Sequence, residues 1–321
     1  MLSRVANSIY WMARHVQRAE NIARFIEVTQ DQVLDQPYPT VDQWEPLVRA
    51  TGDEAYFAQH YGEFTADNVR QFLTFDRQYH SSILTSITNA RENARSVREA
   101  ISSEAWEAIN TLYHFVKKAE GNQLVRSDGA FYIQIVEHSY QFKGILDGTM
   151  TRGTGWRFAQ VGRMIEQADK TSRILDVKYF TLLRHVTDVN TTEDDLLWSA
   201  VLRSVSGFEM FRKQYHGLTV ERVVEFLVLN NDFPRAIGYC VSRLKSALLN
   251  IEGPMDSSSN PAIAEVNSLI DRMAVNTVES IINGGLHEFI DYVQGTLNSI
   301  GSAIDSTYFK ARAFQLQQQQ Q

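Results

Sequence analysis

The chain has little cysteine and little proline: one cysteine and six prolines among 321 residues. A single cysteine, Cys240, excludes an internal disulfide and a cysteine-rich zinc site. Because prolines are so few, long stretches can form unbroken helices. A run of about 18 apolar residues is missing, and so is the apolar segment of a secretory signal. We therefore expect a soluble, cytoplasmic protein.

An excess of positive charge is also missing, since the chain has 31 Lys and Arg and 38 Asp and Glu, a net charge of −7. Binding to nucleic-acid phosphates needs clustered Lys and Arg, so we expect no nucleic-acid partner. The apolar fraction of 44% is sufficient for a hydrophobic core.

Common catalytic patterns are absent as well. The eight histidines form neither His-Glu-x-x-His nor Glu-x-x-His, so zincin and ferritin-like di-iron sites are unsupported. His287 and Asp291 are the only metal-like pair, and one pair is a weak signal. There is no Gly-x-Ser-x-Gly, and Cys240 lies among apolar residues, which indicates a core thiol. We predict no metal and no cofactor.

Helical periodicity covers most of the chain. Apolar residues recur at steps of three and four, and alternation with period two is not sustained anywhere. Ser102 or Ser103 is a predicted cap for one helix, and Asp232 for a helix opened by Pro234. The chain is predicted to be an all-α, multi-helix bundle. Loops are predicted near 30–40, 120–128, 186–192 and 251–260, and helices at 41–60, 66–89, 91–99, 103–119, 129–150, 156–186, 193–214, 219–229, 233–250, 261–282 and 285–309.

The chain repeats itself. The stretch from Arg14 to Val28 recurs from Arg163 to Val177 at a constant offset of 149. A second match sets Trp44 against Trp198 at an offset of 154 and keeps nine identities over 46 positions, among them a Trp, two Phe and a Tyr. We interpret this as two homologous, pseudo-symmetric halves, 1–150 and 151–310, within one compact unit, followed by a flexible Gln-rich tail, 311–321.

The repeated helix carries a polar stripe on one face, with two acid-first (i, i+4) pairs, Glu20–Arg24 and Asp169–Arg173. The same helix is apolar on several sides, which is typical of a buried helix. Buried Arg and Glu must be paired, so the stripe is either a structural ion network or a ligand pocket, and both interpretations stay open. The predicted polar pocket comprises Arg14, Arg18, Glu20, Asn21, Arg24, Arg163, Glu166, Asp169 and Arg173.

Two further segments are candidates. The Gly- and Thr-rich stretch from Asp147 to Phe158 precedes the second repeated helix, so its backbone could hold an anion. Its candidate residues are Thr149, Thr151 and Arg152, and a plain interhelical connection is the alternative. Arg91, Arg95 and Arg98 follow helical spacing and form a basic edge. A solvated face is the alternative there.

Six stretches of the chain match the pattern of one known family, namely Met1–Arg14, Arg18–Arg24, Asn93–Arg98, Ile101–Asn110, Asp147–Phe158 and Asn231–Arg235. In these stretches the chain resembles the bacterial alpha-E domain proteins, which are all-helical and named for a Glu-Arg motif. The resemblance covers about residues 1–300 and implies a duplicated helical fold.

The naming motif is divided in this chain. Gln17-Arg18 stands in the first repeat and Glu166-Gln167 in the second, so each keeps one half of Glu-Arg. A composite site built from Arg18 and Glu166 is therefore one hypothesis, and any chemistry is expected between the repeats.

The resemblance implies a context rather than a reaction. Alpha-E proteins are associated with circularly permuted ATP-grasp ligases and transglutaminase-like proteins, which suggests a helical accessory or substrate-presenting partner in a peptide-modification system. The alternative is an enzyme or a small-molecule- or peptide-binding protein with a central Arg/Glu pocket. In that case the arginines hold carboxylate or phosphate, and Glu20, Glu166 and Asp169 are acid/base candidates.

Overall fold

The computed structural model describes residues 1–35, 43–183, 192–253 and 259–310. Within these ranges the regular elements are helices, which confirms the all-α class. The first eight are α1 (Ser3–Asp35), α2 (Glu45–Arg49), α3 (Glu54–His60), α4 (Ala66–Phe75), α5 (Ile83–Ser96), α6 (Ser103–Ala119), α7 (Gln123–Arg126) and α8 (Gly129–Thr149). The next eight are α9 (Thr154–Leu183), α10 (Thr192–Ser204), α11 (Phe208–Gln214), α12 (Val220–Val224), α13 (Ile237–Glu252), α14 (Pro261–Ala274), α15 (Val278–Asn283) and α16 (Leu286–Ile304). Two π-helical segments, Glu225–Leu229 and Asp305–Lys310, continue α12 and α16.

Several predicted helices are divided in the structure, namely 41–60, 66–89, 193–214 and 261–282. Gly52 follows α2 with φ 78°, and Ser206 follows α10 with φ 53°. Residues in this left-handed region cannot continue an α-helix, so the chain turns at both places. The segment predicted as a separate helix at 91–99 belongs largely to α5.

The predicted helix caps have different outcomes. Ser102 accepts a hydrogen bond from the Ala105 amide and caps α6, as predicted. The prediction for Asp232 is wrong, because α13 begins only at Ile237. The Asn230 side chain instead accepts hydrogen bonds from the amides of Asp232 and Phe233 and closes the turn before that helix.

The predicted loops fall partly outside the described residues. The loop predicted near 30–40 begins later, because α1 continues to Asp35. Residues 36–42, 184–191 and 254–258 and the predicted tail 311–321 lie outside the described ranges.

The two long helices α1 and α9 pack side by side. A Cβ placed on Gly155 would lie 3.0 Å from Met1 Cε, and further along both helices Arg18 bonds to Glu166. Because the contacts advance in the same direction along both helices, α1 and α9 run parallel.

Gly162 marks the closest approach of this pair. A Cβ at this position would lie 2.3 Å from the backbone oxygen of Tyr10. A glycine is therefore required for α1 and α9 to pack as closely as they do.

The other helices surround the central pair. Helices α5 and α8 pack on α1, and α6 contacts both of them. Helices α13 and α16 pack on α9, and α14 contacts both of them. In addition, α1 contacts α10, the helix that follows α9, and α9 contacts α2, the helix that follows α1. The polar stripe of α1 and α9 is thus enclosed.

Candidate functional site

Glu166 on α9 is fully buried and joins two arginines of α1. Arg18 donates from Nε and Nη2 to the Glu166 carboxylate at 2.6 and 2.9 Å. Arg14 donates from Nε to Glu166 at 2.8 Å and from Nη1 to the Tyr10 hydroxyl at 2.6 Å. The two halves of the divided Glu-Arg step, Arg18 and Glu166, therefore meet in space.

Glu20 on α1 is the centre of a second buried network. Its carboxylate accepts hydrogen bonds from Arg235 at 2.5 Å, from Gln17 at 2.5 Å and from Arg24 at 3.3 Å. Arg235 precedes α13, so this network also joins distant parts of the chain. The Nη1 atom of Arg235 donates in addition to Asn21 and Gln167, each at 3.2 Å.

Asp169 on α9 forms a third cluster. Its carboxylate accepts from Lys170 at 3.0 Å and from Arg173 at 2.9 Å. Lys170 Nζ also lies 3.9 Å from Glu166, which links this cluster to the first. Both (i, i+4) pairs expected from the sequence, Glu20–Arg24 and Asp169–Arg173, are present.

The buried carboxylates stay ionised in this setting. Burial alone would raise the pKa of Glu166, but Arg18, Lys170 and Arg14 together lower it well below the ordinary value. Burial is likewise outweighed at Glu20 by Arg235 and Arg24, which lower its pKa. A carboxylate held in this way carries no proton near neutral pH, so neither group is suited to act as a general acid.

A cavity of about 660 Å³ opens beside the Glu20 network, and we call it the Arg163 cavity. Its polar lining includes Gln17, Glu20, Lys143, Asp147, Arg163, Arg235 and Arg243. Its apolar lining includes Phe142, Trp156, Met164 and Phe233. A volume of this size is typical of small-molecule sites.

Arg163 is the least satisfied group in this cavity. Only 6% of the residue is exposed, and none of the described residues accepts a hydrogen bond from its Nε or Nη1. The nearest carboxylate oxygen, Oδ2 of Asp147, is 3.7 Å from Nη1. Burial lowers the pKa of the Arg163 guanidinium, and Asp147 and Glu20 only partly oppose this. A buried cation without a hydrogen-bonded partner is costly, and an anion in the cavity would satisfy it.

Lys143 and Tyr140 lie at the rim of the cavity. The Tyr140 hydroxyl accepts from Arg24 at 2.8 Å and from Arg235 at 3.3 Å. Partial burial lowers the pKa of Lys143, and the neighbouring charges of Arg163 and Arg235 lower it further. Positive charge is thus concentrated here although the whole chain is acidic.

The predicted anion-binding loop lies at the Asp147 end of the cavity. The Thr149 hydroxyl is 2.7 Å from the Ser102 hydroxyl and donates to a carbonyl of its own helix. Arg152 turns back and donates to the Asp147 backbone oxygen at 2.9 Å. The Thr151 carbonyl accepts from the Gly153 amide. The side chains of Thr149 and Arg152 therefore have local partners, and the loop connects α8 and α9 around Asp147.

The remaining sequence candidates lie elsewhere. His287 is paired with Asp176 at 2.8 Å and with Asp291 at 3.4 Å, and the bond to Asp176 raises the pKa of His287, as in an ion pair. Cys240 is fully buried, and burial raises the pKa of its thiol to about 12.

The basic edge predicted from the sequence has local partners. Arg91 donates to Asn110, and Arg95 pairs with Glu92 at 2.6 Å. The Arg98 guanidinium lies 4.9 Å from the Trp106 ring centroid. These contacts are typical of a surface face.

Sequence reasoning did not place Arg235, Lys143 or Tyr140 at the site. Arg235 belongs to the Asn231–Arg235 stretch that resembles the alpha-E family, and this was the only signal available for it. Lys143 and Tyr140 lie on α8 without a distinguishing pattern, and only tertiary packing brings them to the cavity.

Comparison with known proteins places the chain in a family. The chain belongs to the Alpha-E family, described as a predicted alpha-helical domain with a conserved ER motif, whose model matches residues 1–309. Uncharacterised proteins of Mycobacterium bovis and Mycobacterium tuberculosis are each 22% identical to it over 95% of this chain. The match spans only 36% of each of these relatives. No solved structure matches the chain. Among the described helices none is both long and apolar enough to cross a membrane.

Proposed function

We propose that the protein binds a carboxylate-bearing small molecule or an acidic peptide in the Arg163 cavity. The observation that carries this proposal is the guanidinium of Arg163, which is buried on the cavity wall with two donor atoms unpaired among the described residues. Arginine is the side chain best suited to bind carboxylates, because its planar donors match the two carboxylate oxygens.

The lining supports a ligand with an acidic group and an apolar body. The lining combines arginine and lysine side chains with the apolar surface of Phe142, Trp156 and Phe233. Such a combination suits a ligand of this kind, because the apolar groups contribute burial and the few polar groups determine the ligand's direction.

The charge balance supports an anion as well. Glu20 is already paired with Arg235 and Arg24, so Asp147, at 3.7 Å, is the carboxylate left to Arg163. Asp147 also accepts hydrogen bonds from Trp156 at 2.9 Å and from Gln160 at 3.2 Å, which divides its charge among several donors. The lining contains four basic side chains, of Lys143, Arg163, Arg235 and Arg243, and two carboxylates, of Glu20 and Asp147, so a ligand anion would reduce the excess of positive charge.

Calorimetric titration tests this proposal. N-acetyl-L-glutamate and a tri-glutamate peptide are the probes, and Arg163→Gln is the variant. We expect the variant to bind at least about tenfold more weakly than the wild type, because a charge-assisted hydrogen bond is lost. Arg77→Gln, which removes an exposed arginine that pairs with Glu120 and is not part of the cavity lining, is the matched control and should bind as the wild type does. Absence of binding of both probes to the wild type at millimolar concentration would overturn the proposal.

We also propose that the two sequence repeats form structurally homologous halves, 1–150 and 151–310. Corresponding contacts support this. Arg18 donates to Ser81 at 3.4 Å, and the residues at the repeat-related positions, Gln167 and Arg235, are hydrogen-bonded at 3.2 Å. The packing of α5, α8 and α6 around α1 likewise corresponds to that of α13, α16 and α14 around α9.

A second candidate function is that of a helical partner for an ATP-grasp-type peptide ligase or a transglutaminase-like protein. The lengths of the mycobacterial relatives favour it, because about two thirds of each lies outside the region matched by this chain. A protein that holds a carboxylate is also suited to present the acid component for peptide-bond formation. Co-purification with such a ligase, together with turnover measured with and without this chain, tests the idea. A ligase that never binds the chain and is equally active without it would contradict it.

A further inference from the structure

We infer that the ligand carboxylate in the Arg163 cavity takes the place that the Glu166 carboxylate takes beside Arg14, and that Gln17 keeps this place open. This inference rests on the proposed function and on the homology of the two halves. It identifies the chemical group that the cavity recognises and the residue that determines access to it.

The repeat pairs Arg14 with Arg163 and Gln17 with Glu166 at the common offset of 149. The contact between Arg14 and Glu166 therefore corresponds to a contact between Arg163 and position 17. A glutamine stands at that position. Its side-chain amide donates instead to Glu20 at 2.5 Å and to Asn21 at 3.2 Å.

The correspondence extends to individual atoms. Arg14 donates from Nε to Glu166 and from Nη1 to the Tyr10 hydroxyl. The residue that corresponds to Tyr10 is Ala159, which has no hydroxyl. The two atoms of Arg163 that have no acceptor among the described residues are the same two, Nε and Nη1.

Both acceptors that satisfy Arg14 are thus replaced at the repeat-related positions by side chains without a negative charge or a hydroxyl. Arg14 therefore binds an internal carboxylate, whereas Arg163 lines an open cavity. The matching ligand offers a carboxylate oxygen to Nε of Arg163 and a separate neutral oxygen to Nη1, as Glu166 and the Tyr10 hydroxyl do for Arg14. In a peptide, a glutamyl or aspartyl carboxylate or the carboxyl terminus supplies the first oxygen, and a carbonyl group supplies the second.

The surroundings keep the open side positively charged. Arg18, which binds Glu166, corresponds to Gln167, but Ser81 corresponds to Arg235. One arginine is therefore lost and another gained near the carboxylate position. Arg235 is held by Glu20, so Arg163, whose Nε and Nη1 have no acceptor among the described residues, is better placed than Arg235 to contact an incoming carboxylate.

The substitution Gln17→Glu tests this inference, because it supplies the missing internal carboxylate. We expect it to weaken binding of N-acetyl-L-glutamate by at least about tenfold in calorimetric titration, since the new carboxylate forms an ion pair with Arg163 and competes with the ligand. Gln17→Leu is the comparison variant: it removes the same hydrogen bonds to Glu20 and Asn21 without adding a charge, so it should weaken binding clearly less than Gln17→Glu does, and an equal loss in both variants would contradict the inference. Unchanged binding by Gln17→Glu would overturn the inference.

A second measurement uses the wild-type protein and does not depend on any variant. N-acetyl-L-glutamine amide, which has neither carboxylate and is neutral, should bind at least about tenfold more weakly than N-acetyl-L-glutamate, because only the acid satisfies the charge of Arg163. Equal affinity, or tighter binding of inorganic phosphate than of N-acetyl-L-glutamate, would contradict recognition of a carboxylate.

The outcomes separate this inference from the proposed function. If the wild type binds neither acidic probe, the proposed function itself fails. If the wild type binds and Arg163→Gln does not, while Gln17→Glu binds as the wild type does, the proposed function stands and the role of Gln17 is wrong.

Discussion

Arg18 and Glu166 are 148 residues apart in sequence, and the guanidinium of one donates two hydrogen bonds, of 2.6 and 2.9 Å, to the carboxylate of the other. Neither repeat contains a complete Glu-Arg step, yet the parallel packing of α1 and α9 forms one from both. Because Glu166 also accepts a hydrogen bond from Arg14, this carboxylate joins the two long helices at their centre.

Glu166→Gln should destabilise the protein strongly. The substitution leaves Arg14 and Arg18 buried without a counter-charge, and breaking a buried ion pair in this way costs about 3–5 kcal/mol. Chemical denaturation, with the free energy of unfolding as the readout, is the measurement. Glu92→Gln removes the carboxylate of the exposed Glu92–Arg95 pair and should change that free energy by less than about 1 kcal/mol. Similar small losses in both variants would show that the Glu166 network contributes little.

Gly162→Ala should also destabilise the protein, in this case by steric overlap. The added methyl group would lie 2.3 Å from the Tyr10 backbone oxygen, so α1 and α9 must move apart. We expect a loss of about 1–3 kcal/mol, as for other overpacked positions. Gly144→Ala in α8 is the matched control, because no atom lies within 4 Å of the added methyl group. It should stabilise the protein by about 0.5–1 kcal/mol, since alanine favours a helix interior. Thermal denaturation distinguishes the opposite signs.

His15 should make stability depend on pH. Burial, reinforced by Arg18, lowers the pKa of His15 from 6.5 to about 3. Between these values the unfolded chain binds a proton that the folded chain does not. The free energy of unfolding therefore decreases as pH falls from about 6.5 toward 3, by up to about 1.4 kcal/mol per pH unit.

Denaturant titrations between about pH 5 and 7 measure this slope. His15→Gln should reduce it, whereas His114→Gln, which removes an exposed histidine, should leave it unchanged. An identical slope in the wild type and His15→Gln would show that His15 is not the titrating group.

Cys240 should be inert in the folded protein. Its thiol is fully buried and donates to the Pro234 carbonyl at 3.5 Å, and its pKa of about 12 keeps it protonated near neutral pH. A thiol-specific chromogenic reagent at pH 8 should therefore label the native protein only as fast as it unfolds, and label the urea-unfolded chain at once. Rapid labelling of the native protein would contradict this burial.

The sequence was sufficient to predict the features that depend on local spacing. The all-α class, the Ser102 cap and the Glu20–Arg24 and Asp169–Arg173 pairs all follow from steps of three and four residues. The division of helices at Gly52 and Ser206 was missed, because one left-handed residue barely disturbs an amphipathic pattern.

The lack of hydrogen-bond acceptors for Nε and Nη1 of Arg163 could not be predicted, since it depends on which side chains approach from other helices. The repeat nevertheless contained part of the answer. It aligns Gln17 with Glu166 and Ala159 with Tyr10. The importance of these two differences can be recognised only when the contacts of Arg14 are known.

The long-range ion pairs have a consequence for the time at which the chain can fold during synthesis. Glu20 is hydrogen-bonded to Arg235, which lies 215 residues later in the sequence, and Arg14 to Glu166, which lies 152 residues later. Before the second half is synthesised, α1 can already pack on α5 and α8 and form its internal Glu20–Arg24 pair. Its long-range ion pairs can form only afterwards, so the ion network of the first helix to be translated is completed late in synthesis.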